Sequence, residues 1–268
     1  FVSSFVKPDS TVLELGCGWG SLSLWMAQRF PQSRITSVSN SASQKEYIDA
    51  TAARRGLDNL RVITADVAQL RMPDAAAFDR VVSVEMFEHM RNYERLLENI
   101  AGWLAPDGKL FVHIFAHKRF AYPFEVRDDN DWMAKYFFTG GIMPSFDLPR
   151  RFPDHLEVVE QWPISGLHYS RTLEAWLDAM DANRAALMPV FRATYGAEAS
   201  RWFGRWRMFF MACSELFRYR GGNEWFVTHT LMRTVPVMAR TARQTEGPAC
   251  KAIFNDILER EEQLMCAG

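Results

Sequence analysis

The stretch Thr11-Val-Leu-Glu-Leu-Gly-Cys-Gly-Trp-Gly20 decides the fold of this 268-residue chain. An apolar run typical of a buried strand, 11–15, opens it, and an amphipathic segment, 21–30, follows it. Between them lie glycines at every second position, Gly16, Gly18 and Gly20. Glycines let a backbone approach a bulky ligand where any Cβ would intrude. The stretch therefore predicts a nucleotide-binding strand–turn–helix unit, with Glu14 at the strand's end facing the ligand crevice.

A regular alternation of strands and helices follows this unit. The pattern predicts helices over 42–55 and 92–104, the first with Ser41 or Ser43 as its N-cap. Short apolar and β-branched runs predict four further strands, at 34–39, 60–65, 78–84 and 109–115. An α/β chain with this rhythm forms a doubly wound, mostly parallel sheet that binds its ligand at the carboxyl ends of the strands.

The rhythm breaks at residue 116. The segment 116–155 is rich in aromatic residues, Gly, Pro and Asp, and we predict a substrate-cap insert that forms a lid or a wall. The alternative is an ordinary aromatic satellite core. The same two interpretations apply to its most prominent aromatic side chains, Trp132, Tyr136, Phe137 and Phe138.

The rest of the chain is predicted to complete the sheet. We expect helices over 173–195 and 197–219, a hairpin turn at 221–223 and a last strand over 224–233. An added tail should carry an amphipathic helix near 250–265. The chain then divides into a nucleotide-binding core, the insert, a C-terminal part of the same domain and the tail, with bounds 1–115, 116–155, 156–235 and 236–268.

The composition excludes several classes of partner. With a net charge of −1 and 48% hydrophobic residues, the chain can bury a full core but offers no broad basic surface for nucleic acid or anionic membrane. Arg205, Arg207 and Glu215 interrupt the most hydrophobic helix, so no membrane span is expected.

The cysteines are widely spaced, at Cys17, Cys213, Cys250 and Cys266. Without CxxC or zinc-type spacing, they predict reduced thiols in the cytoplasm and no metal site. No signal peptide is expected.

The spacing of the glycines bears on which nucleotide binds. It is GxGxG, whereas the dinucleotide fingerprint is GxGxxG with an acidic residue about twenty positions later. The second strand ends in Val38-Ser-Asn-Ser41, and no acid follows before Glu46. NAD or FAD is therefore the weaker interpretation.

The GxGxG loop after the acidic strand end resembles the first motif of class I S-adenosylmethionine (SAM) methyltransferases. By this resemblance the loop packs against the amino-acid part of SAM, the end of the second strand binds the ribose, and Asp66 accepts from the adenine amino group. That family usually has an acidic ribose ligand, for which only polar substitutes are present here. The implied cofactor-binding residues are Glu14, Gly16, Gly18, Trp19, Gly20, Ser39, Asn40, Gln44, Asp66 and Val67.

Two stretches are more specific, Ser83-Val-Glu-Met-Phe-Glu-His-Met90 and the segment 131–145, DWMAKYFFTGGIMPS. They resemble the coclaurine N-methyltransferase family, a sister group of the cyclopropane fatty acid synthases, and the resemblance extends over about 8–234. It implies a Rossmann-like, seven-stranded class I methyltransferase sheet with an aromatic and helical substrate cap. Both families carry an N-terminal helical segment that helps to close the SAM site. Because this chain begins at Phe1 with a strand close behind, we expect such a segment to precede it.

The resemblance points to methyl transfer onto an amine nitrogen of a small aromatic acceptor. Glu85, Glu88 and His89 follow the fourth predicted strand, where the site should lie. By resemblance these positions contact the amine and remove its proton, a task suited to a neutral imidazole beside carboxylates. The alternative is that Glu88 and His89 merely cap the following helix.

Two other functions remain open from the sequence. In cyclopropane synthases, a bound bicarbonate removes a proton from the carbocation that forms on the methylated alkene. Glu88, His113 and Tyr169 match the Glu, His and Tyr that hold this bicarbonate. Unsaturated fatty acyl phospholipids would then be the acceptors. His113 and Tyr169 are equally well explained as a core histidine and a packed aromatic. A SAM-binding module without catalysis is the third possibility. The remaining histidines are interpreted as structural or surface residues, at His117, His155, His168 and His229.

Overall fold

The computed structural model describes residues 5–72, 77–128 and 130–236. Seven strands form one sheet, and a separate pair consists of β6 (Tyr122–Pro123) and β7 (Ile142–Met143). The seven strands are β1 (Thr11–Leu15), β2 (Arg34–Ser39), β3 (Leu60–Thr64), β4 (Phe78–Val84), β5 (Leu104–His117), β8 (Leu156–Ile164) and β9 (Trp225–Thr234). Their order is β3-β2-β1-β4-β5-β9-β8, and only the pairs that include β9 are antiparallel.

Helices cover both faces of this sheet. They are α1 (Ser21–Arg29), α2 (Ala42–Arg55), α3 (Tyr93–Trp103), α4 (Trp132–Tyr136), α5 (Gly166–Ala182), α6 (Arg184–Tyr195) and α7 (Ala199–Arg218). Short 3₁₀ turns lie at Phe87–His89, Leu148–Arg151, Gly196–Glu198 and Tyr219–Gly222. Ser41, one of the two expected caps, accepts from the backbone N–H of Gln44 at the start of α2. No helix among the described residues is long and apolar enough to cross a membrane.

The alternation of side chains along the strands builds a core on each face of the sheet. Leu13, Leu110 and Ile114 pack with α3 on one face, and Val12, Ile35 and Phe111 pack with α1 on the other. A third cluster lies beyond the end of β5, between the insert, α5 and α7. We call the insert together with α5 and α7 the cap. The doubly wound, mostly parallel sheet is thereby confirmed, with the carboxyl end of β5 beneath the cap.

Three sequence predictions were wrong in detail. β8 was not predicted, since its run LEVVEQWPI mixes charges with Pro163, and such strands are tolerated at a sheet edge, where β8 lies. The single helix 173–195 is two helices that meet at Asn183. The turn at 221–223 makes no hairpin, because left-handed backbone at Arg220 and Gly221 ends α7 before β9 begins. The tail, including Cys250 and Cys266, lies outside the described residues.

Candidate active site

The glycine loop shows why each of its glycines is present. Gly16, Gly18 and Gly20 all have left-handed φ angles, 80°, 53° and 78°. A Cβ on Gly16 would lie 2.6 Å from Met86 Cγ, and one on Gly20 would lie 2.6 Å from Ile48 Cγ1. A Cβ on Gly18 would meet nothing within 4 Å. Gly16 and Gly20 therefore serve close packing within the protein, whereas Gly18 borders open space at the ligand edge of the sheet.

Glu14 lies behind this loop. Only 3% of the residue is exposed, and its Oε2 accepts from Ser23 Oγ at 2.5 Å and from Ser37 Oγ at 3.1 Å. The prediction that Glu14 faces the crevice is corrected: the carboxyl group points into the protein, where two serines satisfy it. Burial raises its pKa to about 7 despite these hydrogen bonds. Through these two serines, the Glu14 carboxyl group links α1 and β2, the elements that flank the glycine loop.

We expect the raised pKa of Glu14 to make unfolding pH-dependent. The folded state binds this proton more tightly than the unfolded chain, so the stabilisation is complete below about pH 4.5 and is lost as the pH rises through about 7. Between pH 5 and 8 this amounts to about 3 kcal/mol. Urea titrations of the wild type and Glu14→Gln should show the steeper fall only in the wild type. Equal slopes would contradict the prediction, and exposed Glu160→Gln is the control.

The other proposed nucleotide-binding residues lie at the carboxyl ends of β2 and β3. Asn40 and Asp66 are exposed, and Asp66 Oδ1 accepts from the backbone N–H of Ala68 at 2.9 Å. Ser39 is buried and donates to Gln44 Oε1 at 2.6 Å. Val67 is buried in the core beside them. The structure thus places these predicted residues side by side. The side chains of Asn40 and Asp66 are free to meet a ligand, whereas those of Ser39 and Gln44 are hydrogen-bonded to each other.

Trp19 extends this edge with an aromatic surface. It is 57% exposed, although it is large and apolar, and its ring meets that of Tyr47 edge-on with centroids 5.5 Å apart. Tyr47 lies on α2, so the pair bridges the glycine loop and that helix. An exposed aromatic pair beside open space at Gly18 is a surface on which a flat ring can lie.

Glu85 follows β4 in strained backbone geometry. Its φ is 49°, uncommon for a residue with a side chain, and its backbone N–H donates to the His113 carbonyl at 2.9 Å. Glu85 Oε1 lies 3.2 Å from His113 Nε2, on the neighbouring strand β5. Burial in the cleft under the cap raises the pKa of Glu85.

Glu88, one 3₁₀ turn further on, is nearly inaccessible to water. The residue is 4% exposed, and its Oε2 is the one buried side-chain oxygen or nitrogen without a hydrogen-bond partner within the described part of the chain. Burial and the neighbouring charge of Glu85 raise its pKa well above the usual range. The raised pKa favours the neutral carboxyl group, and a hydrogen bond between the Glu85 and Glu88 side chains links the pair. The unpartnered Oε2 is then available to a positively charged or hydrogen-bonding ligand.

The remaining predicted catalytic residues surround this pair. The His89 side chain is 60% exposed at the rim, and its Nε2 lies 3.9 Å from Glu88 Oε1, too far for a hydrogen bond. Tyr169 lies in the cap with its ring 4.4 Å from that of Phe217. Burial raises the pKa of Tyr169, and the charges of Glu85, Cys213 and Glu88 raise it further, which places its hydroxyl in the same acidic pocket.

The insert closes over these carboxyl groups. A Cβ on Gly141 would lie 3.1 Å from the Glu88 carbonyl oxygen, and Arg91 Nε donates to the Gly140 carbonyl at 3.1 Å. Above them, Phe138 stacks on Phe124 with ring centroids 4.8 Å apart. Phe124 and Phe138 thus belong to a packed aromatic cluster, as the satellite-core interpretation expects, whereas a role of this segment as a substrate wall stays a prediction.

A cavity of about 410 Å³ lies elsewhere, where β1 to β4 begin, at the opposite edge of the sheet from the acidic pocket. Within the described residues, no three His, Cys, Asp or Glu side chains are grouped so as to hold a metal ion. The acidic pocket beside the glycine loop is therefore the candidate active site.

The sequence model of the family described as mycolic acid cyclopropane synthetase matches residues 4–225. The chain belongs to this family. Two similar curated proteins are (S)-coclaurine N-methyltransferases, 43% identical over 233 residues in Thalictrum flavum subsp. glaucum and 38% over 232 residues in Papaver somniferum. The alignments cover 85% of this chain, and the chain spans 64–66% of the length of these relatives.

A solved structure of a similar protein superposes closely. The crystal structure of coclaurine N-methyltransferase bound to N-methylheliamine and SAH matches with a TM-score of 0.81 and 41% identity, over 87% of this chain and 69% of that one. The cyclopropane synthase MmaA2 from Mycobacterium tuberculosis shares the fold at a TM-score of 0.70 and 19% identity. The class I methyltransferase fold expected from the sequence is confirmed.

Two contacts near the site were not predicted from the sequence. His229, interpreted as structural or surface, has its Nε2 2.9 Å from His113 Nδ1. Cys213 is buried among the cap aromatics next to Tyr169, and burial raises the pKa of its thiol to about 12. Both contacts join segments that are distant in the chain, so no local sequence pattern reveals them.

Proposed function

We propose that this protein is a SAM-dependent methyltransferase that acts on the amine nitrogen of a small aromatic acceptor. The observation that carries the proposal is the buried Glu88 carboxyl with its unpartnered Oε2, beside Glu85 and under an aromatic cap. Two acidic groups in a water-poor pocket favour a cationic ligand. The similarity to coclaurine N-methyltransferases supports an amine as that ligand.

The residues at the glycine loop fit SAM. Open space at Gly18 admits a ligand against the backbone, and the exposed side chains of Asn40 and Asp66 offer acceptors for hydroxyl and amino groups. The exposed ring of Trp19 offers a stacking surface for the adenine. When bound, SAM supplies a methyl group activated by a sulfonium. The buried Glu14 acts indirectly, by fixing α1 and β2 around the loop.

The acidic pocket then prepares the acceptor. An amine reaches the protein mostly as an ammonium ion, which Glu85 and Glu88 attract, whereas the nitrogen must be neutral to attack a methyl group. Because burial raises the pKa values of both carboxyl groups towards that of a useful base, they can take up a proton from the ammonium. The cap excludes water and holds the acceptor's ring among aromatic side chains.

A methyl-transfer assay with labelled SAM tests this function. Heliamine, the unmethylated form of the ligand in the solved relative, and unsaturated phospholipid vesicles would be offered in parallel. We expect label in the amine nitrogen, identified by mass spectrometry. Label in the lipid would replace the proposal by the cyclopropane route, with Glu88, His113 and Tyr169 around a bicarbonate. SAM binding without transfer would favour a binding module.

His89→Ala should leave SAM binding unchanged and lower turnover by about ten-fold. The side chain is exposed at the rim of the pocket, 3.9 Å from Glu88, so it can assist the carboxyl groups without supporting the fold. Calorimetry would measure the SAM dissociation constant, and steady-state kinetics would measure kcat. His168→Ala, at another exposed histidine, is the matched control. Normal turnover of the His89 variant would show that this residue has no role in the reaction.

We also infer a cytoplasmic location. The wide spacing of the cysteines supports it, and the two that lie in the described residues, Cys17 and Cys213, are free and buried.

A further inference from the structure

Two histidine rings continue the acidic pocket into the sheet. Glu85 Oε1 lies 3.2 Å from His113 Nε2, and His113 Nδ1 lies 2.9 Å from His229 Nε2. The antiparallel register of β5 and β9 sets His113 directly opposite His229, and their ring centroids are 4.9 Å apart. A continuous line of polar atoms therefore runs from Glu85 through both nitrogens of His113 to β9.

We propose that His113 takes the proton that Glu85 removes from the acceptor's ammonium, and that His229 holds His113 in the tautomer able to do so. This inference rests on the proposed function, because it needs an acceptor that loses a proton. His113 is then a catalytic residue through its contact with the proton-carrying Glu85, and His229 is a positioning residue.

Two tautomers of His113 fit these distances. The proposed step needs the one with the proton on Nδ1, in which that N–H donates to His229 Nε2 and Nε2 of His113 is left bare towards Glu85. His229 can accept only while its Nε2 is unprotonated. Burial and the nearby His113 lower the pKa of His229 to about 4, so it stays neutral, and burial likewise lowers the pKa of His113.

The step balances in protons and electron pairs. The ammonium N–H bond breaks, its electron pair stays on nitrogen, and an O–H bond forms on Glu85. That O–H bond breaks in turn as an N–H bond forms on His113 Nε2, which restores the Glu85 carboxylate and leaves His113 a cation. The Nδ1–H bond of His113 donates to His229 throughout, and the Nε2 proton passes to water once the product has left.

Other titratable groups border the same pocket. Glu88 follows β4, Tyr169 lies on α5 and Cys213 on α7. Among these, Glu85 lies closest to His113, with Oε1 3.2 Å from its Nε2. Burial lowers the pKa of His113 and raises that of Glu85, so His113 holds the proton only in passing, before water takes it.

Two substitutions of one residue test the inference. His229→Phe fills the space but cannot accept the His113 proton, whereas His229→Gln keeps an acceptor oxygen. With heliamine as acceptor, we expect kcat of the Phe variant to fall about ten-fold and the KM for heliamine to stay within about two-fold. The Gln variant should recover most of the rate. His168→Phe is the control.

A second readout needs neither substrate nor SAM. Nitrogen-15 NMR of the histidine side chains in the free protein should show His113 protonated at Nδ1 in the wild type and in His229→Gln, and a shift to Nε2–H in His229→Phe. An unchanged tautomer in the Phe variant, or normal kcat, would overturn the inference. If the wild type methylates no amine, the proposed function fails and the proton step fails with it, whereas the NMR result separately decides how His229 orients His113.

Discussion

Gly18→Val is expected to abolish SAM binding. A side chain at this position projects into the open space at the ligand edge of the glycine loop, where no protein atom lies within 4 Å of the added Cβ. The added side chain therefore meets no crowding from the protein, although the left-handed φ of 53° strains it, and a ligand packed against the backbone is displaced. Titration calorimetry with SAM should detect no binding. A single clash that displaces the ligand is expected to lower the affinity by at least about 100-fold.

Backbone strain is the competing explanation, and the chain offers a matched control. Gly56, at the end of α2, also has a left-handed φ, 64°, and also faces open space, but it lies away from the loop. Gly56→Val should bring a similar loss of thermal stability and no loss of SAM affinity. If both variants bound SAM like the wild type, the glycine loop would not be the cofactor site.

Glu88→Gln is expected to lower kcat by about 100-fold or more, because an amide cannot take up the proton that the proposed mechanism passes to this carboxyl group. The shape of the side chain is nearly unchanged. Kinetics with heliamine would measure the loss, and SAM affinity should remain normal because Glu88 lies outside the glycine loop. Exposed Glu160→Gln on β8 is the control and should have wild-type kinetics.

Thermal stability separates a functional Glu88 from a structural one. Burial and the charge of Glu85 raise its pKa, so the folded state favours the neutral form, and the neutral amide of glutamine should fold at least as well at pH 8. We therefore expect Tm to hold or rise while activity falls. A variant that lost stability and kept its kcat would contradict the role of Glu88 as a base and would make it a structural cap.

The parts of the fold that depend on local signals were predictable. Strong apolar runs marked β1 to β5, and the glycine spacing and the segment around Glu85 and Glu88 located the site on neighbouring strand ends. β8 was missed because an edge strand tolerates charges and Pro163, so its sequence carries little β signal.

The parts that depend on long-range pairing were not predictable. The contact between His113 and His229 requires the register of two strands whose histidines are 116 residues apart. The inward orientation of Glu14 depends on small donors at Ser23 and Ser37, which belong to two other elements. No single segment contains this information, since each contact arises only when the sheet is assembled.

The close approach of Gly16 to Met86 has a consequence for how the two reactants meet. Met86 lies between Glu85 and Phe87, so the glycine loop and the segment with the two carboxyl groups are packed against each other without room for one methyl group. The two segments cannot approach each other more closely. On the proposed function, this contact sets a lower limit on the spacing between methyl donor and acceptor when the chain folds.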